Sequence, residues 1–162
     1  ATELFEQMAE AATRLLDSER ASVFLWDRPN HELVAMPALG VEGGELRIPD
    51  DAGVVGQVVQ TGEVLRVDAN RQPELINRSV DEKLGFETRS LLCCPLVGRR
   101  GQRLGAFEMI NKRHGTFSQE DEAALVELAM DCRPSSKHLP KLGPLQKSRP
   151  HRPMVCHQSR AQ

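Results

Sequence analysis

The residues best placed to do chemistry lie in the stretch NKRHGTFSQEDE, positions 111–122. Asn111 and Lys112 end an apolar run, a turn follows, and Phe117 precedes Asp121 and Glu122 in what reads as the first turn of a helix. Ser118 can cap that helix. Asp121 then falls at the capping-box position three residues later, and acids in a first turn suit the helix dipole. Lys112 and Asp121 can also meet as an ion pair. Capping accounts for Ser118, Glu120 and Asp121. It leaves unexplained why Asn111 and Lys112 close an apolar strand. It also leaves Phe117 without a staple partner, because the position it would pack on is Glu122.

Three further places carry reactive or binding groups. Glu108 sits in AFEMI (106–110), a strand pattern with apolar neighbours on both sides. There it is either an edge carboxylate or a buried one that needs a partner, since an unpaired core charge is expensive. AGVVGQV (52–58) is a tight turn into a short helix, whose first free N–H groups can meet an anion. Asp81 and Thr88 lie in VDEKLGFET (80–88), which reads equally well as a solvated helix and turn. The cysteines Cys93, Cys94, Cys132 and Cys156 include no Cys-x-x-Cys pair. Neither a structural zinc site nor a disulfide framework is expected. On a strand, Cys93 and Cys94 point to opposite faces.

The elements that must position these groups follow from periodicity. ELFEQMAEAATRLLD (3–17) is an amphipathic helix with Leu4, Met8, Ala11 and Leu15 at helical spacing beside Phe5, Ala12 and Leu16. Strands are predicted at 21–27, 32–39, 45–49, 63–68, 88–98 and 102–112, with Pro37 marking an edge or an interruption. A short helix is predicted within 50–62, capped by Asp50 or Asp51 and stopped by Gly62. Residues 70–86 read as a loop carrying a short helix, and 118–132 as a helix with Leu125, Leu128 and Cys132 on one face. Strands joined by short turns, with helices packed on them, predict an antiparallel sheet of the α+β class.

The length of 162 residues suits one domain. Its charge is divided. From Arg133 onward there are seven basic residues and no acidic one, while residues 1–132 hold 14 basic against 23 acidic. Half of the ten prolines also follow Arg133. A folded part over 1–132 and a basic, proline-rich tail over 133–162 are expected. The tail is either disordered or non-native sequence from a shifted reading frame. It lacks aromatic interleaving, so nucleic acid is not expected as a partner. No apolar run spans a bilayer and no leader pattern opens the chain, so a cytoplasmic protein without membrane contact is expected.

Asn111, Lys112, Phe117, Asp121 and Glu122, at their spacing, resemble the signature of GAF domains that bind cyclic nucleotides. ASVFLWD (21–27), RIPDDAGVVGQVVQTGEVLRV (47–67) and VDEKLGFETRSLLCCPLVGRRGQRLGAFEMINK (80–112) look like the GAF modules of cyclic-nucleotide phosphodiesterases and of bacterial cyclases and sensors. The resemblance covers roughly residues 3–132. It implies a six-stranded antiparallel sheet with helices on both faces and a small ligand, cAMP or cGMP, beneath the short helices. It makes Lys112 and Asp121 a salt bridge that closes the pocket wall, with Asn111, Phe117 and Glu122 bracing it. It places the cyclic phosphate at the backbone of Val54 and Val55, and makes Ser22, Asp81, Thr88 and Glu108 pocket residues. Signalling would pass through the first and last helices to a second copy of the chain and to an attached output domain. The module itself would not be an enzyme, and neither a resident cofactor nor a metal is implied.

Three positions depart from that pattern. Ala38-Leu39 stands where the phosphodiesterase-like sites have an aromatic-acidic pair, and the positions near Asn77 and Leu84 are altered too. The base would lose a stacking or hydrogen-bonding partner there. Two other GAF chemistries have weaker footholds. Free methionine sulfoxide reduction would need reactive cysteines, and Cys93-Cys94 sits in an apolar strand. Bilin attachment often uses a cysteine before a histidine, and Cys156-His157 lies in the tail, far from any expected pocket, where His151, Cys156 and His157 could hold a metal only adventitiously.

Overall fold

The computed structural model describes residues 3–36 and 46–139. In order they form α1 (Glu3–Leu16), β1 (Ser18–Asp27), β2 (Glu32–Ala35), β3 (Arg47–Pro49), α2 (Gly53–Thr61), β4 (Leu65–Asp68), α3 (Arg78–Leu84), β5 (Ser90–Val97), β6 (Arg103–Lys112) and α4 (Gln119–Asp131). The strands make one six-stranded sheet in the order β3-β2-β1-β6-β5-β4, and every neighbouring pair is antiparallel. This is the expected α+β architecture. Pro37, Ala38, Leu39 and the tail residues His151, Cys156 and His157 lie outside the described residues.

The sheet separates two apolar layers. On one face α1 and α4 pack over Val23, Leu25, Leu92, Cys94, Phe107 and Met109. On the other, α2 covers Phe24, Leu91, Cys93, Ala106 and Ile110. Cys93 and Cys94 therefore face opposite ways, as strand alternation requires. β1 and β6 run very close where Gly105 meets β1. A Cβ there would stand 1.8 Å from the Phe24 carbonyl oxygen, so only glycine fits.

Helix α1 buries part of its expected wide apolar face. Phe5, Met8, Ala12 and Leu16 are buried, joined by Ala9, whereas Leu15 is 60% exposed. Phe5, Met8, Ala12 and Leu16 all belong to the expected face, Leu4 packs partly buried at its margin, and Ala11 and Leu15 form its exposed edge. The aromatic Phe5 and the last leucine, Leu16, are both sealed by the sheet.

Helix α2 starts differently from expectation. Its N-cap is Ala52, which offers no side-chain bond. Asp50 instead accepts the Trp26 indole N–H at 3.0 Å. Among the described residues, the first-turn amides of Gly53, Val54 and Val55 have no hydrogen-bond acceptor.

Helix α4 has the full capping box. Ser118 Oγ accepts from the Asp121 N–H at 3.1 Å, and Asp121 Oδ2 accepts from the Ser118 N–H at 2.9 Å. Ser118→Ala removes one of the two bonds, and chemical denaturation should show a loss of about 1 kcal/mol. Leu125 and Ala129 are the fully buried residues of α4, with Leu128 and Cys132 packed at the layer's margin. Residues 133–139, the first of the expected tail, carry local structure. Pro134 is buried, a 3-10 turn spans Ser136–His138, and Leu139 packs on the α1–α4 layer.

Candidate functional site

Antiparallel register builds a row of side chains across the α2 face. Ser22 on β1 stands opposite Glu108 on β6, and Glu108 stands opposite Cys93 on β5. Directly opposed residues share a face, so these three point the same way. Glu108 is 8% exposed and has no hydrogen-bond partner among the described residues. Burial, reinforced by the nearby Asp81 charge, pushes its carboxyl up to about 8. At neutral pH it is mostly an uncharged acid that can both donate and accept. Of the two readings the sequence left open, the structure chooses the buried carboxyl.

Asp81 and Thr88 meet each other. Asp81 Oδ1 accepts the Thr88 hydroxyl at 2.6 Å, and Oδ2 accepts the Thr88 N–H at 2.8 Å and Arg78 at 3.0 Å. Arg78 also donates to the Thr88 carbonyl at 3.1 Å. The pair ties the end of α3 to the chain that enters β5. Gly85, with φ 72°, makes the reversal that lets residues seven apart meet. Phe86, just beyond, lies under the Arg20 guanidinium at 4.2 Å and closes this end of the α2–α3 face. Arg78 and Arg20 were not foreseen. The three-residue spacing of Arg78 and Asp81 on a helix is a signal that could have shown the first.

The motif residues sit elsewhere. Lys112 Nζ bonds Asp121 Oδ1 at 3.0 Å, as expected, and the Leu16 carbonyl at 2.6 Å. Both partners belong to the α1–α4 layer. The ion pair that the resemblance assigns to a pocket wall thus forms on the α1–α4 side of the sheet, opposite the face that α2 covers. The reason is Asn111, whose φ of 61° is left-handed. Plain alternation would aim Lys112 at the face of Glu108 and Ile110, and the left-handed residue turns it away. Burial would raise the Asp121 carboxyl. Hydrogen bonds from the Ser118 N–H and Lys112 outweigh it and hold Asp121 below the usual range. Phe117 is buried against the α1–α4 layer. Glu122 pairs with Arg66 at 3.1 Å.

Asn111 itself is 1% exposed and fully bonded. Its Oδ1 accepts from the Arg89 and Ser90 N–H groups at 2.6 and 3.2 Å, and its Nδ2 donates to the Glu87 carbonyl and to Glu19 at 2.8 and 3.0 Å. A cleft of about 480 Å³ opens at the β4 edge between Arg66, Arg71, Thr116 and Glu122, and Ser22, Glu108 and Cys93 do not line it. No three His, Cys, Asp or Glu among the described residues could hold a metal. No described helix is long and apolar enough to cross a membrane.

A sequence model of the GAF domain matches residues 1–133. The chain belongs to the GAF domain family. It is 34% identical over 133 residues to a Caenorhabditis elegans protein named "Probable 3',5'-cyclic phosphodiesterase pde-5", a match covering 75% of this chain and 18% of that protein. It is 25% identical over 124 residues to the "Dual 3',5'-cyclic-AMP and -GMP phosphodiesterase 11A" of Takifugu rubripes, covering 68% of this chain and 14% of that one. This GAF domain thus spans less than a fifth of the curated relatives it matches. Among solved structures, the GAF domain of a phosphoenolpyruvate-protein phosphotransferase from Coxiella burnetii superposes with a TM-score of 0.68 at 25% identity, covering 81% of this chain and 79% of that one. Free methionine-R-sulfoxide reductase from Neisseria meningitidis gives 0.61 at 25% identity, covering 82% and 77%. GAF domains are generally regulatory, and the cysteines here fit that role. Burial pushes the Cys94 thiol up to about 12 and Cys93 well above its usual value, so neither supplies a thiolate near neutral pH.

Proposed function

We propose that this GAF domain is a sensing module that binds a purine cyclic nucleotide between the sheet and α2–α3. The observation that carries the reading is Glu108, a buried carboxyl on the face that α2 covers, with no hydrogen-bond partner among the described residues. A neutral carboxyl donates and accepts at once, which suits the N6-amino and N1 edge of adenine. The three unpartnered amides that open α2 offer an anion seat to the cyclic phosphate. The relatives' names, cyclic phosphodiesterases, support the ligand class. Signalling would run to an output domain in a longer cytoplasmic protein. Leu15, 60% exposed on α1, and Met130, 53% exposed on α4, favour a homodimer that covers those helices.

A second reading, a GAF interaction module with another ligand or none, is favoured by Asp81 and Thr88, which already satisfy each other. Isothermal titration separates the two. Cyclic AMP or cyclic GMP should bind the folded protein, and Glu108→Ala should weaken binding at least about tenfold, the scale of one lost hydrogen bond to a buried polar group. Absence of heat at millimolar nucleotide, with the protein folded, would sink the cyclic-nucleotide reading.

A further inference from the structure

We infer that Asn111 and Lys112 form a joint that couples the order of the α3 segment to the α1–α4 helix layer through the sheet. Adjacent residues hold different segments here. Asn111 receives the Arg89 and Ser90 amides and donates to the Glu87 carbonyl, so it grips the chain that leaves α3 on either side of Thr88. Thr88 in turn is held by Asp81 of α3. Lys112 holds the helix layer. Its N–H donates to Ser90 Oγ at 3.0 Å, and its ammonium holds the last carbonyl of α1, Leu16, and Asp121 in the first turn of α4.

A coupling of this kind needs an element with two discrete arrangements. Asn111 supplies it. In its left-handed conformation Lys112 reaches the helix layer. In an extended conformation alternation would carry Lys112 to the α2 face, away from Leu16 and Asp121. Asparagine tolerates the left-handed region better than other residues with a β-carbon, and the two amides bound to its Oδ1 stabilise it there. When the 87–90 segment shifts, that support is lost and the grip on both helices weakens. The joint is a property of the fold itself. It relies on the sensing role proposed above only for its use in signalling.

Hydrogen exchange read by mass spectrometry on the whole chain tests the joint without any nucleotide. Asp81→Ala loosens α3 in two backgrounds, native and Asn111→Gly. Glycine keeps the left-handed backbone and deletes the side chain. In the native background, Asp81→Ala should speed exchange about tenfold in residues 78–90 and also in the last turn of α1 and the first turn of α4. In the Asn111→Gly background the second effect should vanish while the first remains. If Asp81→Ala does not fold, Thr88→Val, which deletes a single bond to Asp81, is read the same way. Exchange that stays within 78–90 in the native background overturns the inference, as does an equal helix response in both backgrounds. A failed nucleotide titration leaves this result standing, and the reverse is also true.

Discussion

Glu108→Gln is expected to make the protein more stable than the native chain at pH 9 and about equally stable at pH 5. The sign follows from the raised carboxyl. In the unfolded chain Glu108 loses its proton near the ordinary value of 4.5, and in the fold it keeps the proton to about 8. Between those values the folded state binds more protons, so stability falls as pH rises through the window. The contribution is fully present below about pH 4.5 and gone above about pH 8. Glutamine does not titrate and keeps the shape. Each tenfold change in proton affinity is worth about 1.4 kcal/mol, so the expected difference at pH 9 is on the order of 4 kcal/mol. Urea unfolding at pH 5, 7 and 9 measures it. Curves for the two proteins that run parallel across that range would mean that Glu108 ionises freely in the fold. The buried-acid account of the site would then fail.

The same residue shows what the sequence could reveal. AFEMI gave Glu108 a strand and apolar neighbours, and the register that sets it between Ser22 and Cys93 follows from strand order. Regular elements were legible because each carries a strong period. Some predicted ends moved by two or three residues, as for β1, which begins at Ser18 instead of 21. Helix α1 was legible as a helix with a wide apolar face, but not in which part of that face is sealed. Leu4-Met8-Ala11-Leu15 and Phe5-Met8-Ala12-Leu16 have equivalent spacing, and only the sheet decides between them.

What escaped the sequence depends on backbone conformation at single residues. The left-handed φ of Asn111 decides which face Lys112 serves, and nothing in the pattern INKR announces it. The motif was readable as an ion pair and a cap, and both are present. Its place relative to the candidate ligand face was not readable. The meeting of Asp81 with Thr88 likewise depends on the reversal at Gly85. Two residues that pattern alone gave even odds of being a solvated helix and turn are bonded to each other.

Lys112→Met should then be the most damaging single change on the helix layer, at about 3–5 kcal/mol, the range for removing one partner of a largely buried pair. The Lys112 and Asp121 side chains are 19% and 14% exposed, so water replaces little of what is lost. Two acceptors suffer together: Asp121 loses its cation, and the Leu16 carbonyl at the end of α1 loses a donor where the helix dipole favours positive charge. Asp121→Asn should cost less, because the Leu16 contact survives and an amide oxygen can still accept from Ser118. The double variant should be more stable than the sum of the two losses predicts, by about 1–3 kcal/mol, since neither charge is then stranded. Acid unfolding gives a second reading of the pair. Asp121 lies below its usual value of 3.8 in the fold, so its contribution is present above that pH and is lost as pH falls through the depressed value. Lys112→Met should flatten that part of the acid limb. Strict additivity in the cycle together with an unchanged acid limb would show that Lys112 acts through Leu16 alone, and the ion pair would then have no part in holding α1 to α4.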